Sequence, residues 1–181
     1  MKQQKIFFKN SKGQRLAEIL YYPKNNSFPV AIISHGYRSK KESKVALALG
    51  KSLPKKGIGL FAFDFSGNGE SEGKFEKTTV TQYIDDLKSA IELISKKTNK
   101  IALIGPSLGG LISLNSASKD ESVKTLILIS PLSHFRGQIR KEIKRITKRI
   151  KSEEKKHGIG FYIDALKYLR YSKHKKKLYQ R

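Results

Sequence analysis

The segment IALIGPSLGG, residues 101–110, joins a short apolar run to a serine framed by glycines. Residues 101–104 have the composition of a buried strand, and the residues after Ser107 have that of a helix. Residues 105–109 fit the motif G-x-S-x-G, in which glycines permit a serine on a sharp strand-to-helix turn. Such a turn strains the serine backbone and places its hydroxyl at a helix N-terminus, where developing negative charge is favoured. We therefore expect Ser107 to be a nucleophile, and the alternative is a simple helix N-cap.

Predicted strands and helices alternate on both sides of this segment. The predicted strands are residues 5–9, 15–22, 29–34, 58–65, 100–104 and 124–130, and the predicted helices are residues 43–55, 81–97 and 107–118. The turn-rich link NSKGQ at residues 10–14 indicates an antiparallel hairpin between the first two strands. The alternation predicts an α/β fold, with a mostly parallel sheet of six strands and helices on both faces.

Composition divides the chain of 181 residues at about residue 133. Residues 1–133 carry the strand and helix pattern and form the expected core. Residues 134–181 contain 17 basic and 4 acidic residues and read as two amphipathic helices, near residues 138–156 and 161–171. They form a basic helical segment that follows the core.

The net charge of +23 raises the question of an anionic partner. Lysine-rich composition on a solvated surface explains this charge more simply than nucleic-acid binding, because few aromatic residues lie among the basic ones. Contact with a membrane surface is weakly supported, since the apolar stripe of residues 138–156 is narrow and lacks an aromatic anchor.

The chain contains no cysteine, which excludes disulfides and thiolate metal sites. No apolar leader is visible at the N-terminus, and no run approaches the roughly 18 apolar residues of a membrane span. We expect a cytoplasmic protein that uses no cofactor and no metal.

Three motifs each follow the end of a predicted strand. They are ISHGYRSKKES at residues 33–43, FDFSGNGESEG at residues 63–73 and IGPSLGG at residues 104–110. In this order they resemble the α/β-hydrolases, in particular the serine-hydrolase branch of esterases, lysophospholipases and serine aminopeptidase-like proteins. The second motif resembles a D-x-R-G-x-G-x-S loop, with Ser66 where arginine is more usual. A nucleotide loop is disfavoured there, because the glycine spacing is wrong and two glutamates would face a pyrophosphate.

The resemblance implies a role for several residues. Ser107 matches the nucleophile, and the backbone N–H groups of Tyr37 and Leu108 match the donors of the oxyanion hole. The residues that match supports of the elbow and its neighbouring loop are His35, Gly36, Gly105 and Gly109. His35 matches a structural histidine and not the general base.

The resemblance also implies an acid and a base on loops that follow later strands. After residue 130 the sequence shows no further apolar strand, so the chain resembles a C-terminally truncated hydrolase that ends in a helical, lid-like segment. Weak candidates for the acid and the base are Asp120, Asp164, His134, His157 and His174. We assign neither role to any of them.

Two functions follow from these observations. The first is a serine hydrolase that acts on an acyl ester, thioester or amide of a small molecule. The alternative is a non-catalytic, truncated or split hydrolase fold that binds a partner or an anionic surface through its basic C-terminal helices. A sheet that ends at its sixth strand has an open edge, which invites pairing with a second copy or a complementing chain.

Overall fold

The computed structural model describes residues 2–24 and 27–131. The strands are β1 (Lys2–Lys9), β2 (Arg15–Tyr22), β3 (Val30–Ser34), β4 (Gly59–Phe63), β5 (Ile101–Pro106) and β6 (Val123–Ile129), and the α-helices are α1 (Lys44–Ser52), α2 (Val80–Ser95) and α3 (Leu108–Ala117). The predicted helical segment of residues 134–181 lies outside the described residues, and so does the predicted boundary at residue 133.

The six strands form one sheet in the order β1-β2-β4-β3-β5-β6. The pairs β3–β4, β3–β5 and β5–β6 are parallel, whereas β1–β2 and β2–β4 are antiparallel. In the hairpin turn, the Asn10 side-chain oxygen accepts from the backbone N–H groups of Lys12 and Gln14, each at 3.0 Å. The predicted mostly parallel sheet with an antiparallel N-terminal hairpin is therefore confirmed.

Helices cover both faces of the sheet, as the apolar pattern predicts. On one face α1 packs through Ala46 against a cluster that includes Ile33, Leu60 and Ile104. On the other face α2 and α3 pack on the larger cluster, whose aromatic members are Phe8, Phe61, Phe63, Phe65 and Tyr83. Each central strand is thus buried on both sides, which explains why β3 and β4 read as continuous apolar runs.

The strand β4 is shorter than its apolar run. The predicted strand reaches residue 65, but β4 ends at Phe63. Beyond it the Phe65 N–H donates to Nε2 of His35, at 3.1 Å, instead of to a neighbouring strand. This side-chain contact turns the chain into the loop that follows β4, at the carboxyl edge of the parallel strands.

Candidate active site

Ser107 lies on the turn between β5 and α3, with φ of 51° and ψ of −119°. A positive φ is strained for a residue with a Cβ, and it occurs where the surrounding structure imposes it. The side chain is exposed and makes no capping hydrogen bond to α3. Ser107 thus occupies the N-cap position of α3, but its hydroxyl caps none of the helix N–H groups.

The glycines of this turn allow backbone contacts that are too close for any side chain. A Cβ added to Gly109 would lie 1.8 Å from the carbonyl oxygen of Ser34, and one added to Gly105 would lie 2.5 Å from the Gly109 oxygen. Across the site, a Cβ on Gly36 would lie 3.6 Å from the Ser107 Cβ. The loop after β3 and the turn after β5 are thus in contact, as expected for the carboxyl ends of neighbouring parallel strands.

His35 is buried, with 2% of its surface exposed, and both ring nitrogens have partners. Its Nδ1 lies 2.8 Å from the carbonyl oxygen of Gly36, so Nδ1 carries the proton and donates. Its Nε2 accepts from the Phe65 N–H. Burial lowers the pKa of His35, which favours the neutral ring that this arrangement requires. Neither nitrogen remains to accept a proton from Ser107, so His35 joins the loops after β3 and β4.

The two residues that match oxyanion donors border Ser107 from different sides. Leu108 is buried and directly follows the serine as the first residue of α3. Tyr37 directly follows Gly36, and its half-buried ring packs against that of Phe75 with 5.6 Å between centroids. Arg38, next in the chain, has a positive φ of 53° and places its guanidinium over the same two rings.

A buried ion pair, which the sequence pattern did not indicate, joins the same loops. The side chains of Lys41 and Asp64 are both 0% exposed, and the lysine Nζ lies 2.8 Å from Oδ2 of the aspartate. The carboxylate also accepts from the backbone N–H groups of Lys41, at 2.6 Å, and Glu70, at 3.0 Å. Such a pair holds its loops in one arrangement, because neither charge can be left alone in the interior.

The contacts around this pair shift the pKa values of Lys41 and of the neighbouring Glu70. Burial alone would lower the pKa of Lys41, but its hydrogen bonds to Asp64 and Glu70 outweigh burial and raise the pKa. Hydrogen bonds from Lys41 and then Lys5 lower the pKa of the exposed Glu70 to about 2. Lys41 and Glu70 therefore both stay ionised at neutral pH.

A second buried carboxyl group supports the loop after β4 from beneath. Asp86 of α2 accepts from the N–H of Ser66 at 2.8 Å, from the Ser66 hydroxyl at 2.9 Å and from the amides of Asn10 and Gln82. Burial raises the pKa of Asp86, and these donors counteract part of the rise. The small Ser66 fits within this network at the position where the resembling loops carry arginine.

The described residues contain one histidine, His35, and no acid beside Ser107 that could orient a base. Asp120 caps its own turn by accepting from the Ser122 N–H and hydroxyl. It precedes β6 and so lies at the amino end of the parallel strands, opposite to Ser107. The remaining candidates, His134, His157, Asp164 and His174, lie outside the described residues.

The described part of the chain shows neither a metal-binding cluster nor a membrane-spanning helix. Residues 2–24 and 27–131 hold no group of three or more side chains suited to bind a metal ion. Within the same residues, none of the helices has the length and apolar character needed to cross a membrane.

Comparison with known proteins gives the family. The family described as serine aminopeptidase, S33, matches residues 26–176. Human palmitoyl-protein thioesterase ABHD10, a mitochondrial protein, is 28% identical over 137 residues, which are 71% of this chain and 44% of the relative. The chain thus spans less than half the length of this relative.

Solved structures agree with the fold. The structure of mouse ABHD10 superposes with a TM-score of 0.72 at 25% identity, over 91% of this chain and 70% of that one. The Pyrococcus furiosus esterase Pf2001 gives a TM-score of 0.73 at 22% identity, over 92% of this chain and 65% of that one. From the extent of the family match and the shared fold, the chain belongs to the serine aminopeptidase S33 family of α/β-hydrolases.

Proposed function

We propose that this chain is a serine hydrolase that cleaves an acyl ester, thioester or amide with Ser107 as the nucleophile. The observation that carries the proposal is the exposed Ser107 hydroxyl on a backbone of positive φ, at the start of α3. A strained backbone at a serine whose side chain makes no capping hydrogen bond is costly for the fold. Nucleophilic catalysis by that side chain gives a reason for the cost. A carboxylic ester is the first substrate class to test.

The proposed reaction follows the usual course of acyl transfer. The Ser107 Oγ attacks the carbonyl carbon and loses its proton to a base, and the carbonyl oxygen becomes an oxyanion. The backbone N–H groups of Tyr37 and Leu108 donate to that oxyanion. The carbonyl re-forms as its bond to the leaving group breaks, and the leaving group takes the proton from the base. Water then attacks the acyl-serine and gives a proton to the base, and the bond to Oγ breaks as Ser107 takes that proton and the acid is released. No cofactor or metal enters any step.

The assignment of the remaining site residues follows from their contacts. Gly105 admits the close approach of α3 to β5, Gly109 admits that of α3 to β3, and Gly36 brings the Tyr37 loop against Ser107. His35 holds that loop and is not the base. The proposed base and its acid therefore come from outside the described residues or from a second chain.

The names of two similar proteins agree with this substrate range. Human ABHD10 is named a palmitoyl-protein thioesterase, and the Pyrococcus furiosus protein is named an esterase. The location in the cytoplasm, proposed from the absence of cysteine, stays a prediction.

Covalent labelling with a fluorophosphonate, measured by intact mass, tests the proposal. We expect one adduct on the wild-type chain, none on Ser107→Ala, and an unchanged adduct on Ser95→Ala, which alters an exposed serine at the end of α2. Fluorophosphonates react with serines that are activated by a base. A folded wild-type sample that stays unlabelled would refute the hydrolase proposal.

A second candidate function is a non-catalytic fold that binds a complementing chain. The observation in its favour is β6, the outermost strand of the described sheet, where Ile127 is 46% exposed and Ile129 is 39% exposed. An apolar edge strand favours pairing with another strand. Absent labelling together with stable complex formation would favour this candidate.

A further inference from the structure

A basic cleft of about 580 Å³ lies beside the loop that follows β3. The residues that line it include Arg38, Lys40 and Lys44, together with Ser43 and Phe75. Lys40 and Lys44 are exposed, and neither forms an ion pair with any residue in the described ranges. Two exposed lysines therefore line one concave surface, next to Arg38.

One carboxylate, that of Glu42, also lines the cleft. Its Oε1 lies 3.2 Å from the Nζ of the buried Lys41, so the lysine already neutralises part of the Glu42 charge. Among the described residues that line the cleft, Lys40 and Lys44 therefore outnumber the one carboxylate, that of Glu42.

The start of α1 adds to this positive field. The helix begins at Lys44, and its first turn contains no acidic residue, although acids are favoured at that position. Ser43 caps the helix by accepting from the Ala46 N–H at 3.2 Å. A lysine in the first turn faces the positive end of the helix dipole, which is unfavourable unless an anion lies between or beside them.

We propose that this cleft binds a phosphate-class anion, either a free ion or a phosphate group carried by the substrate. The guanidinium of Arg38 is held over the rings of Tyr37 and Phe75, 5.8 and 5.5 Å from their centroids. Guanidinium and ammonium groups together form charge-assisted hydrogen bonds to the several oxygens of a phosphate. A monocarboxylate would use fewer of these donors.

The position of the cleft connects it with Ser107. Gly36 contacts the turn that bears Ser107, and Arg38 follows two residues later on the same loop. A substrate whose carbonyl carbon lay at Ser107 could therefore extend its phosphate toward the cleft. This role as a substrate subsite rests on the proposed hydrolase function, whereas anion binding itself does not.

Titration of the isotope-labelled full chain with inorganic pyrophosphate at constant ionic strength tests the proposal by NMR. We expect saturable shifts of the backbone amides of residues 38–44. The double variant Lys40→Gln/Lys44→Gln should raise Kd at least about tenfold, because it removes two charge-assisted contacts.

The matched control is Lys55→Gln/Lys56→Gln, which also removes two lysine charges, but just beyond the other end of α1. We expect it to change Kd less than about twofold, since salt screens distant exposed charges. The proposal is overturned if the shifts do not saturate, or if both double variants weaken binding equally.

A second experiment determines whether the cleft binds a free anion or a phosphate group carried by the substrate. The octanoyl ester of 2-hydroxyethyl phosphate is compared with the octanoyl ester of ethylene glycol. A lower KM for the phosphate ester, lost in Lys40→Gln/Lys44→Gln, assigns the cleft to the substrate's own phosphate. Equal KM values with intact pyrophosphate binding assign it to a free anion. Pyrophosphate binding without cleavage of either ester supports the cleft and contradicts the hydrolase function.

Discussion

The backbone N–H of Ser107 donates to the carbonyl oxygen of Ile129, at 2.9 Å. This bond joins the strained turn after β5 to the last residue of β6, the outermost strand of the described sheet. The position of the serine backbone therefore depends on a strand whose outer edge is open among the described residues. Ile129 thus links the outermost described strand directly to the backbone of Ser107.

The close approach of α3 to β3 predicts a large loss of stability for Gly109→Ala. The new methyl group would lie 1.8 Å from the Ser34 oxygen, so the helix must move away from the strand. We expect the free energy of unfolding in urea to fall by about 3 kcal/mol. Gly36→Ala, whose methyl would have an ordinary 3.6 Å contact, should cost less than about 1 kcal/mol. Equal losses for the two variants would contradict the close approach.

The buried Glu18 predicts a dependence of stability on pH. It lies on β2 with 1% of the residue exposed, and its Oε2 has no hydrogen-bond partner among residues 2–24 and 27–131. Burial raises its pKa from the ordinary 4.5 to about 7, although the charge of Lys97 opposes the rise. The folded chain therefore holds this proton more tightly than the unfolded chain, and stability falls as the pH rises from about 4.5 to 7, by up to about 3 kcal/mol.

The variant Glu18→Gln, which cannot ionise, should remove this dependence. Relative to wild type, we expect a gain in unfolding free energy that grows between pH 5 and pH 8 and then levels. The exposed Glu92→Gln provides the control and should show no such growth. Parallel pH curves for wild type and Glu18→Gln would show that Glu18 does not titrate in this range.

We predict that removing one charge of the Lys41–Asp64 pair lowers the free energy of unfolding more than removing both. Lys41→Met leaves a buried carboxylate that retains only backbone donors, and we expect a loss of about 3 to 5 kcal/mol in the free energy of unfolding. Lys41→Met/Asp64→Asn removes both charges and should recover part of that loss. Urea unfolding of the single and double variants gives the coupling energy, and additive losses would contradict a direct interaction.

The exposed isoleucines of β6 predict self-association in the absence of a complementing strand. We expect the wild-type chain to form dimers or larger species by light scattering, and Ile127→Lys/Ile129→Lys to shift it toward the monomer. Leu47→Lys alters an apolar side chain on α1 that is 40% exposed and should leave association unchanged. A wild-type monomer that persists at high concentration would rule out the open edge as an association site.

The local features of the site could be predicted from the sequence. The apolar run before Gly105 predicted β5, and the order of the three strand-end motifs indicated the family. Such patterns arise from periodicity and turn chemistry within a few residues, which a single sequence displays directly. The family match and the shared fold confirm both the family and the sheet.

The partners of the buried charges could not be predicted in this way. Lys41 belongs to the run KKES, which reads as a solvated surface, and its partner Asp64 is 23 residues away. The amide of Asn10 reaches Asp86 across 76 residues. Only the return of the chain across the sheet brings these groups together, so no local pattern contains them.

His35 makes the loop that carries Tyr37 sensitive to low pH. Protonation would place a second N–H on Nε2, directly opposite the N–H of Phe65, and two donors would then face each other. Burial lowers the pKa of His35, so the ring takes up this proton only at a pH below the usual range of histidine. The ring resonances of His35, followed by NMR during acid titration, would report the onset. The loop should then separate from its neighbour as a local acid transition, while the rest of the sheet stays folded.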